Sequence, residues 1–185
     1  SIQFGLSLFG NKNSSYNAMI SIDQFGKLIS RYNKVNLFSF SEENKEFLPG
    51  QKPIISDLGS IKIGNSICYD LRFPELYRQY ANNCHCIVNI ANWPSSRIRD
   101  WRYLLIARAI ENQCIMIGVN RQGIDGLNLK YTKSSYIFLP SGKQLKPIYN
   151  SIELDCYDVD RSIVDRYRIK LPFLKDMANT KFLNI

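Results

Sequence analysis

Between residues 61 and 120 the sequence alternates short β-branched runs with longer mixed ones, and this alternation limits the fold more than any other feature. Residues 61–67, 86–91 and 115–120 read as strands, and residues 74–81 and 100–113 as helices. Strand–helix–strand order requires crossover connections, so the three strands are expected to lie parallel in one sheet with helices on its face. A chain of 185 residues, 45% hydrophobic and 22% charged, is long enough for one domain with a real core and short for two. Residues 1–185 are therefore read as a single α/β domain. The second helix carries Trp101, Leu104, Leu105, Ile106, Ala109 and Ile110, apolar around most of its circumference, and is expected to be largely buried. Arg108 and Glu111, three apart within it, are expected to pair.

The flanks read as β structure. Ile2, Phe4, Leu6 and Leu8 alternate with smaller or polar residues, so the chain opens as a strand. Residues 10–15 form a turn-rich loop, and residues 16–22 and 28–32 are strands joined by a hairpin at 23–27, with Gly26 free to take positive φ. Strands at the very start suit a chain that begins in the middle of a sheet. Beyond Asn120, residues 136–139, 144–149 and 151–155 read as strands, with a turn at 140–143. A short helix is expected from Asp158, with Val159, Ile163 and Tyr167 on one face. Residues 171–185 have little periodicity and are expected to dock on another subunit.

Cys68 stands where the first parallel strand ends. Pro74 suits the first position of the following helix, and Glu75 suits the positive end of its dipole. A thiol at such a turn can be held out of the sheet and stabilised as thiolate by helix amides and cations. A buried structural cysteine is the alternative reading of the same position. Lys34, among apolar neighbours, reads either as a surface lysine or as a cation that stabilises a developing oxyanion. Residues 42–50 read as a charged loop ending in a turn.

Composition removes several classes. The formal charge of +8 is dispersed, with no basic block and no nucleic-acid recognition motif, so nucleic acid is not an expected partner. No apolar run reaches membrane-spanning length, and the start lacks the basic region of a signal peptide. Five cysteines without framework spacing suit reduced thiols in the cytoplasm. Cys84-His85-Cys86 has no second Cys/His pair, so no metal is expected, and no glycine-rich phosphate loop points to a nucleotide cofactor. His85 is the only histidine and begins the next strand, an unlikely seat for a Cys–His dyad. A cysteine hydrolase here needs a carboxylate base and a lysine.

Lys34 within Tyr32-Asn33-Lys34-Val35-Asn36-Leu37-Phe38, the segment Phe47-Leu48-Pro49-Gly50, and Ile67-Cys68-Tyr69-Asp70-Leu71-Arg72-Phe73-Pro74-Glu75 together resemble the carbon–nitrogen hydrolase (nitrilase) superfamily. So do Ala91-Asn92-Trp93-Pro94, Arg108-Ala109-Ile110-Glu111-Asn112-Gln113 and Leu171-Pro172-Phe173-Leu174-Lys175-Asp176. Asn92-Trp93-Pro94 with Asn120-Arg121-Gln122-Gly123-Ile124-Asp125-Gly126 is most similar to the bacterial omega-amidase branch, which acts on 2-oxo acid amides such as 2-oxoglutaramate. The resemblance implies an αββα sandwich, a homodimer and no cofactor. It implies a thiol amidohydrolase that cleaves the terminal amide of a small carboxylate-bearing substrate through a Cys68 thioester. Lys34 and the backbone N–H of Tyr69 would stabilise the oxyanion, and Glu43 falls where the family has a second, positioning glutamate. Arg72, Trp93 and Asn92 are the pocket candidates. Arg72 would either meet the substrate carboxylate bidentately or form an ion pair with Asp70 or Glu75.

The sequence departs from the family in two places. Relatives carry the general-base glutamate in a strand–helix section well upstream of the lysine, and here the first glutamate is Glu42. The chain is thus expected to lack the N-terminal section of the domain. Lys133 stands where relatives usually carry glycine. An inactive subunit that binds partners through the same surface is the alternative.

Overall fold

The computed structural model describes residues 1–9 and 15–177. Three antiparallel strands, β1 (Ile2–Phe9), β2 (Ser15–Ile22) and β3 (Leu28–Asn33), form a sheet in the order β1-β2-β3. The β2–β3 turn forms as its residues require. Gly26 takes φ 82°, and Asp23 Oδ1 accepts from the N–H groups of Phe25 and Lys27 at 2.8 and 2.9 Å. Among the described residues β1 lies at one edge of its sheet.

A one-turn helix, α1 (Glu43–Glu46), then leads into β4 (Ile55–Asp57), β5 (Lys62–Ile67), α2 (Pro74–Tyr80), β6 (Cys86–Ala91), α3 (Ile98–Glu111) and β7 (Ile115–Asn120). Strands β5, β6 and β7 pair in parallel, as the crossover argument demands. A small hairpin follows, β8 (Gly123–Ile124) with β9 (Lys130–Tyr131). Then come β10 (Tyr136–Phe138), β11 (Gln144–Leu145), β12 (Tyr149–Asn150), β13 (Asp155–Cys156), α4 (Ser162–Lys170) and α5 (Leu174–Met177). The larger sheet has six strands in the order β11-β10-β7-β6-β5-β4.

Two faces of this sheet are used differently. On one, Tyr77 and Tyr80 of α2 and Trp101 and Leu105 of α3 are fully buried. Each such side chain contributes ~1.5–3 kcal/mol of transfer free energy. On the other, the three-stranded sheet stacks so closely that a Cβ on Gly5 would lie 2.6 Å from Ile90 Cδ1. Gln3 Nε2 donates across the same seam to Asn65 Oδ1 at 2.9 Å. The order α–β–β accounts for three layers of an αββα sandwich.

Several expectations change. Helix α3 buries one face only, because Tyr103 and Ile110 stand 61% and 48% exposed. An almost wholly apolar circumference is therefore not matched by packing on all sides. Residues 144–149 do not form one strand. Pro147 has no N–H to give to a ladder, so β11 stops at Leu145 and β12 starts at Tyr149. The β8–β9 hairpin has no counterpart in the sequence reading. Helix α4 begins at Ser162, after Asp160 accepts the Ser162 N–H at 2.8 Å, and it buries Val164. Part of the tail docks on this chain itself: Leu174 is buried and the Leu171 carbonyl accepts from Gln113 Nε2 at 2.7 Å. Residues 178–185 of that tail lie outside the described residues. Among the described residues no helix is long and apolar enough to cross a membrane.

The tight seat of α2 gives a test. A Cβ on Gly64 would meet the Tyr80 ring at 2.7 Å, against a buried aromatic with little room to yield. Gly64→Ala is expected to destabilise the chain by ~1–3 kcal/mol, measured by urea unfolding.

Candidate active site

The site is assembled at the carboxyl ends of β3, β5, β6 and β7, and one buried carboxylate organises it. Asp70 is 0% exposed. Its Oδ1 accepts from the Asn36 N–H at 2.8 Å and from Asn36 Nδ2 at 2.9 Å. Its Oδ2 accepts from the Tyr32 hydroxyl at 2.7 Å and from the Ile67 N–H at 2.9 Å. Tyr32 and Asn36 bracket Lys34, and Ile67 precedes Cys68. The carboxylate thus ties the segment that carries the lysine to the turn that carries the thiol. Burial pushes the Asp70 carboxyl up, and these hydrogen bonds oppose that.

Lys34 is held at both backbone groups: its N–H donates to Asn17 O at 2.8 Å, and its carbonyl accepts from Gly50 N–H at 2.7 Å. Its side chain is 3% exposed, and Nζ lies 2.5 Å from Glu43 Oε2. A surface lysine is excluded by that burial. Glu43, itself only 10% exposed, also accepts from the Phe38 N–H at 2.7 Å and from Asn17 Nδ2 at 2.8 Å. Most of residues 42–50 are exposed, as a charged loop should be, but α1 turns Glu43 inward. Burial alone would raise the Glu43 carboxyl, but the hydrogen bonds from Lys34, Phe38 and Asn17 hold it below the ordinary range.

Cys68 opens a single 3₁₀ turn, Cys68–Arg72, at the end of β5. Its φ is 46°, a left-handed conformation that costs an L-residue ~1–2 kcal/mol. The surroundings over-determine it. Asp70 holds the residue before it. Arg108, from α3, donates through Nε and Nη2 to the Leu71 carbonyl at 3.1 and 2.8 Å. Arg108 also pairs with Glu111 at 3.0 Å, as its spacing predicts. The thiol Sγ lies 4.0 Å from Asn92 O. Burial pushes the Cys68 thiol up, the Lys34 ammonium pulls it down, and the charges of Glu43 and Asp70 push it up again. The net direction is upward, so burial outweighs the lysine at this sulfur.

Trp93 is fixed at both ends. Its N–H donates to Asn120 Oδ1 at 2.7 Å, its carbonyl accepts from Asn120 Nδ2 at 2.9 Å, and its indole N–H donates to Arg97 O at 2.8 Å. The Arg72 guanidinium stacks 5.2 Å over the Trp93 ring and bonds Asp100 at 3.1 Å. Its ion-pair partner is Asp100, not Asp70 or Glu75, because Asp70 is enclosed by its own donors. Tyr69 packs between Phe38 and Phe73, with ring centroids 4.7 and 5.2 Å away. His85 is elsewhere, 4.0 Å from Asp165 and lining a cavity of about 540 Å³ with Asp57, Lys62 and Arg168. Among the described residues no cluster of His, Cys, Asp or Glu suits a metal ion.

The sequence motifs that meet here match a carbon-nitrogen hydrolase family model over residues 1–168. The chain belongs to the carbon-nitrogen hydrolase family. A Staphylococcus aureus protein described as a hydrolase in the agr operon is 34% identical over 169 residues, 89% of this chain and 64% of that one. A 2-oxoglutaramate amidase of Bacillus subtilis is 38% identical over 136 residues, 72% of this chain and 52% of its own length. A carbon–nitrogen hydrolase superfamily protein of Xanthomonas campestris, solved with an arsenic adduct in its active site, superposes with a TM-score of 0.80. That match has 26% identity and covers 93% of this chain and 67% of the other. The chain therefore spans between half and two-thirds of the length of these relatives.

In this carbon-nitrogen hydrolase chain, the structure brings Lys34, Glu43 and Cys68 together, with Tyr69, Asn92, Trp93 and Arg72 around them. Sequence reading missed the organising role of Asp70 and the contributions of Asn17, Arg108 and Asn120. A signal for Asp70 existed: an aspartate three residues into a turn can reach back to the N–H that opens it, as a capping-box acid does.

The Lys34–Glu43 pair predicts a pH-dependent stability. Removing one partner of a buried pair leaves the other uncompensated, so Glu43→Gln is expected to cost ~3 kcal/mol in urea unfolding at neutral pH. Because the folded Glu43 carboxyl is held low, its stabilisation is complete above the unfolded value of ~4.3 and fades as pH falls through the folded value. The gap between wild type and variant should narrow below about pH 4.

Proposed function

We propose that this chain carries the nucleophile and oxyanion groups of a thiol amidohydrolase acting on a small carboxylate-bearing amide, such as a 2-oxo acid amide. The single observation that supports it most is that Asp70 ties the segment carrying the buried Lys34 ammonium to the strained turn carrying the Cys68 thiol. The Bacillus subtilis relative's name, 2-oxoglutaramate amidase, supports the substrate class.

In this reading the Cys68 sulfur attacks the amide carbon and the carbonyl electrons move onto oxygen. The Lys34 ammonium and the Tyr69 N–H stabilise that oxyanion, a contribution of ~3 kcal/mol for a good donor. Collapse breaks the C–N bond, the nitrogen takes a proton and leaves as ammonia, and a thioester on Cys68 remains. Water then attacks the thioester, releasing the acid and the thiol. Glu43 orients Lys34 and does not take the proton, because three donors already occupy it. Arg72, Trp93 and Asn92 form the wall against which the substrate lies. The reading gives the general-base role to neither Glu43 nor Asp70, since both are held by donors. The whole enzyme is read as a cytoplasmic homodimer.

One observation favours the rival, an inactive binding subunit: among the described residues, the carboxylates whose charge reaches Cys68 are Glu43 and Asp70, and both are tied up. Ammonia release from 2-oxoglutaramate by this chain, alone and extended at its N-terminus, separates the two. Turnover in the extended form supports the amidase, and absence of turnover on any amide in both forms supports the rival. Cys68→Ala is expected to reduce turnover by at least ~10³-fold. Its melting temperature should stay within a few degrees of wild type, because Asp70 and Arg108 hold the turn without the sulfur. Full activity in that variant would assign the nucleophile elsewhere.

A further inference from the structure

We propose that Arg121, stacked on the Tyr131 ring, holds the anionic end of the substrate. The inference rests on the amidase reading above and names its recognition group. Three adjacent parallel strands set the placement. Cys68 follows β5, Asn92 follows β6 and Arg121 follows β7, with Ile67 level with Ile90 and Ala91 level with Asn120. The Arg121 N–H donates to Ala91 O at 3.1 Å, one residue before the Asn92 carbonyl that faces Cys68 Sγ. Adjacent strands are ~4.8 Å apart, so about 10 Å separates the two backbone positions. A short carbon chain with an amide at one end and an acid at the other, met by an arginine side chain, bridges that span. The carboxyl ends of parallel strands are also where open α/β sheets bind ligands.

Three other cations at this end of the sheet are committed. Lys34 is on Glu43, Arg72 is on Asp100, and Arg108 is on Leu71 O and Glu111. Among the described residues the Arg121 guanidinium makes no salt bridge and donates no hydrogen bond. It lies 4.8 Å over the centre of the Tyr131 ring. That ring is a fixed platform: Tyr131 is buried, and its hydroxyl donates to Asp125 Oδ2 at 2.7 Å. Asp125 Oδ1 in turn accepts from the Leu127 and Leu129 N–H groups, both at 2.9 Å. A guanidinium stacked by its face keeps its edge donors free, and that edge matches a carboxylate bidentately.

Arg97 is the competing cation. It stacks 5.5 Å over Phe38, and among the described residues it also lacks a carboxylate partner. Calorimetric titration with 2-oxoglutarate, the acid that a 2-oxoglutaramate amidase would release, decides between them without requiring turnover. Arg121→Gln is expected to weaken binding by about 10- to 100-fold, the loss of a charge-assisted bidentate contact. Arg121→Lys should fall between the two, and Arg97→Gln should bind as wild type does. The proposal is overturned if Arg121→Gln binds like wild type, if Arg97→Gln carries the loss, or if the wild-type protein fails to bind the dicarboxylate. Absence of ammonia release from every amide would sink the amidase reading separately and leave the binding result standing.

Discussion

The site depends on one buried negative charge. Asp70 accepts four hydrogen bonds from groups on two segments that are distant in sequence, the end of β3 and the turn after β5. A carboxylate in a low-dielectric interior must find such donors or lose its charge. The need is mutual, because the Ile67 and Asn36 N–H groups lie at element ends where no ladder satisfies them. The cheapest arrangement for all of these groups is the one that sets Lys34 beside Cys68. The geometry of this candidate site follows from the satisfaction of polar groups, and the strained φ of Cys68 is carried by the same bonds.

Electrostatic balance follows from this. Lys34 would be costly to bury alone, and Glu43 offsets it at 2.5 Å while Asn17 and Phe38 satisfy the remaining carboxylate positions. The pair is close to neutral, so the field at Cys68 is a contest between burial, the lysine and two carboxylates. Burial prevails, and the net direction is upward. In the proposed reaction a base must take the thiol proton. Glu43 and Asp70 are both fully engaged by donors and are poor candidates for that work.

Much of this was legible in the sequence, for reasons that differ by element. The βαβαβ stretch shows in its periodicity because β5, β6 and β7 are buried on both faces and their helices are bounded by Pro74 and by strong apolar runs. Lys34, Glu43 and Cys68 were legible through the family resemblance, and the structure brings them together in space. Asp70 was quoted but its task was not readable, since its partners Tyr32 and Asn36 lie 38 and 34 residues away. The exposed side of α3 was misread because an apolar composition says nothing about which neighbours are present. The β8–β9 hairpin has strands of only two residues each, too short to leave a periodic trace, and it carries the Tyr131 platform.

The most direct test of the account is intact-protein and peptide mass spectrometry of the extended chain, quenched by acid during turnover of 2-oxoglutaramate. The account predicts an added mass equal to the substrate less ammonia, located on the peptide that contains Cys68. Steady turnover with no such adduct under any quench time, or an adduct on a different residue, would contradict it.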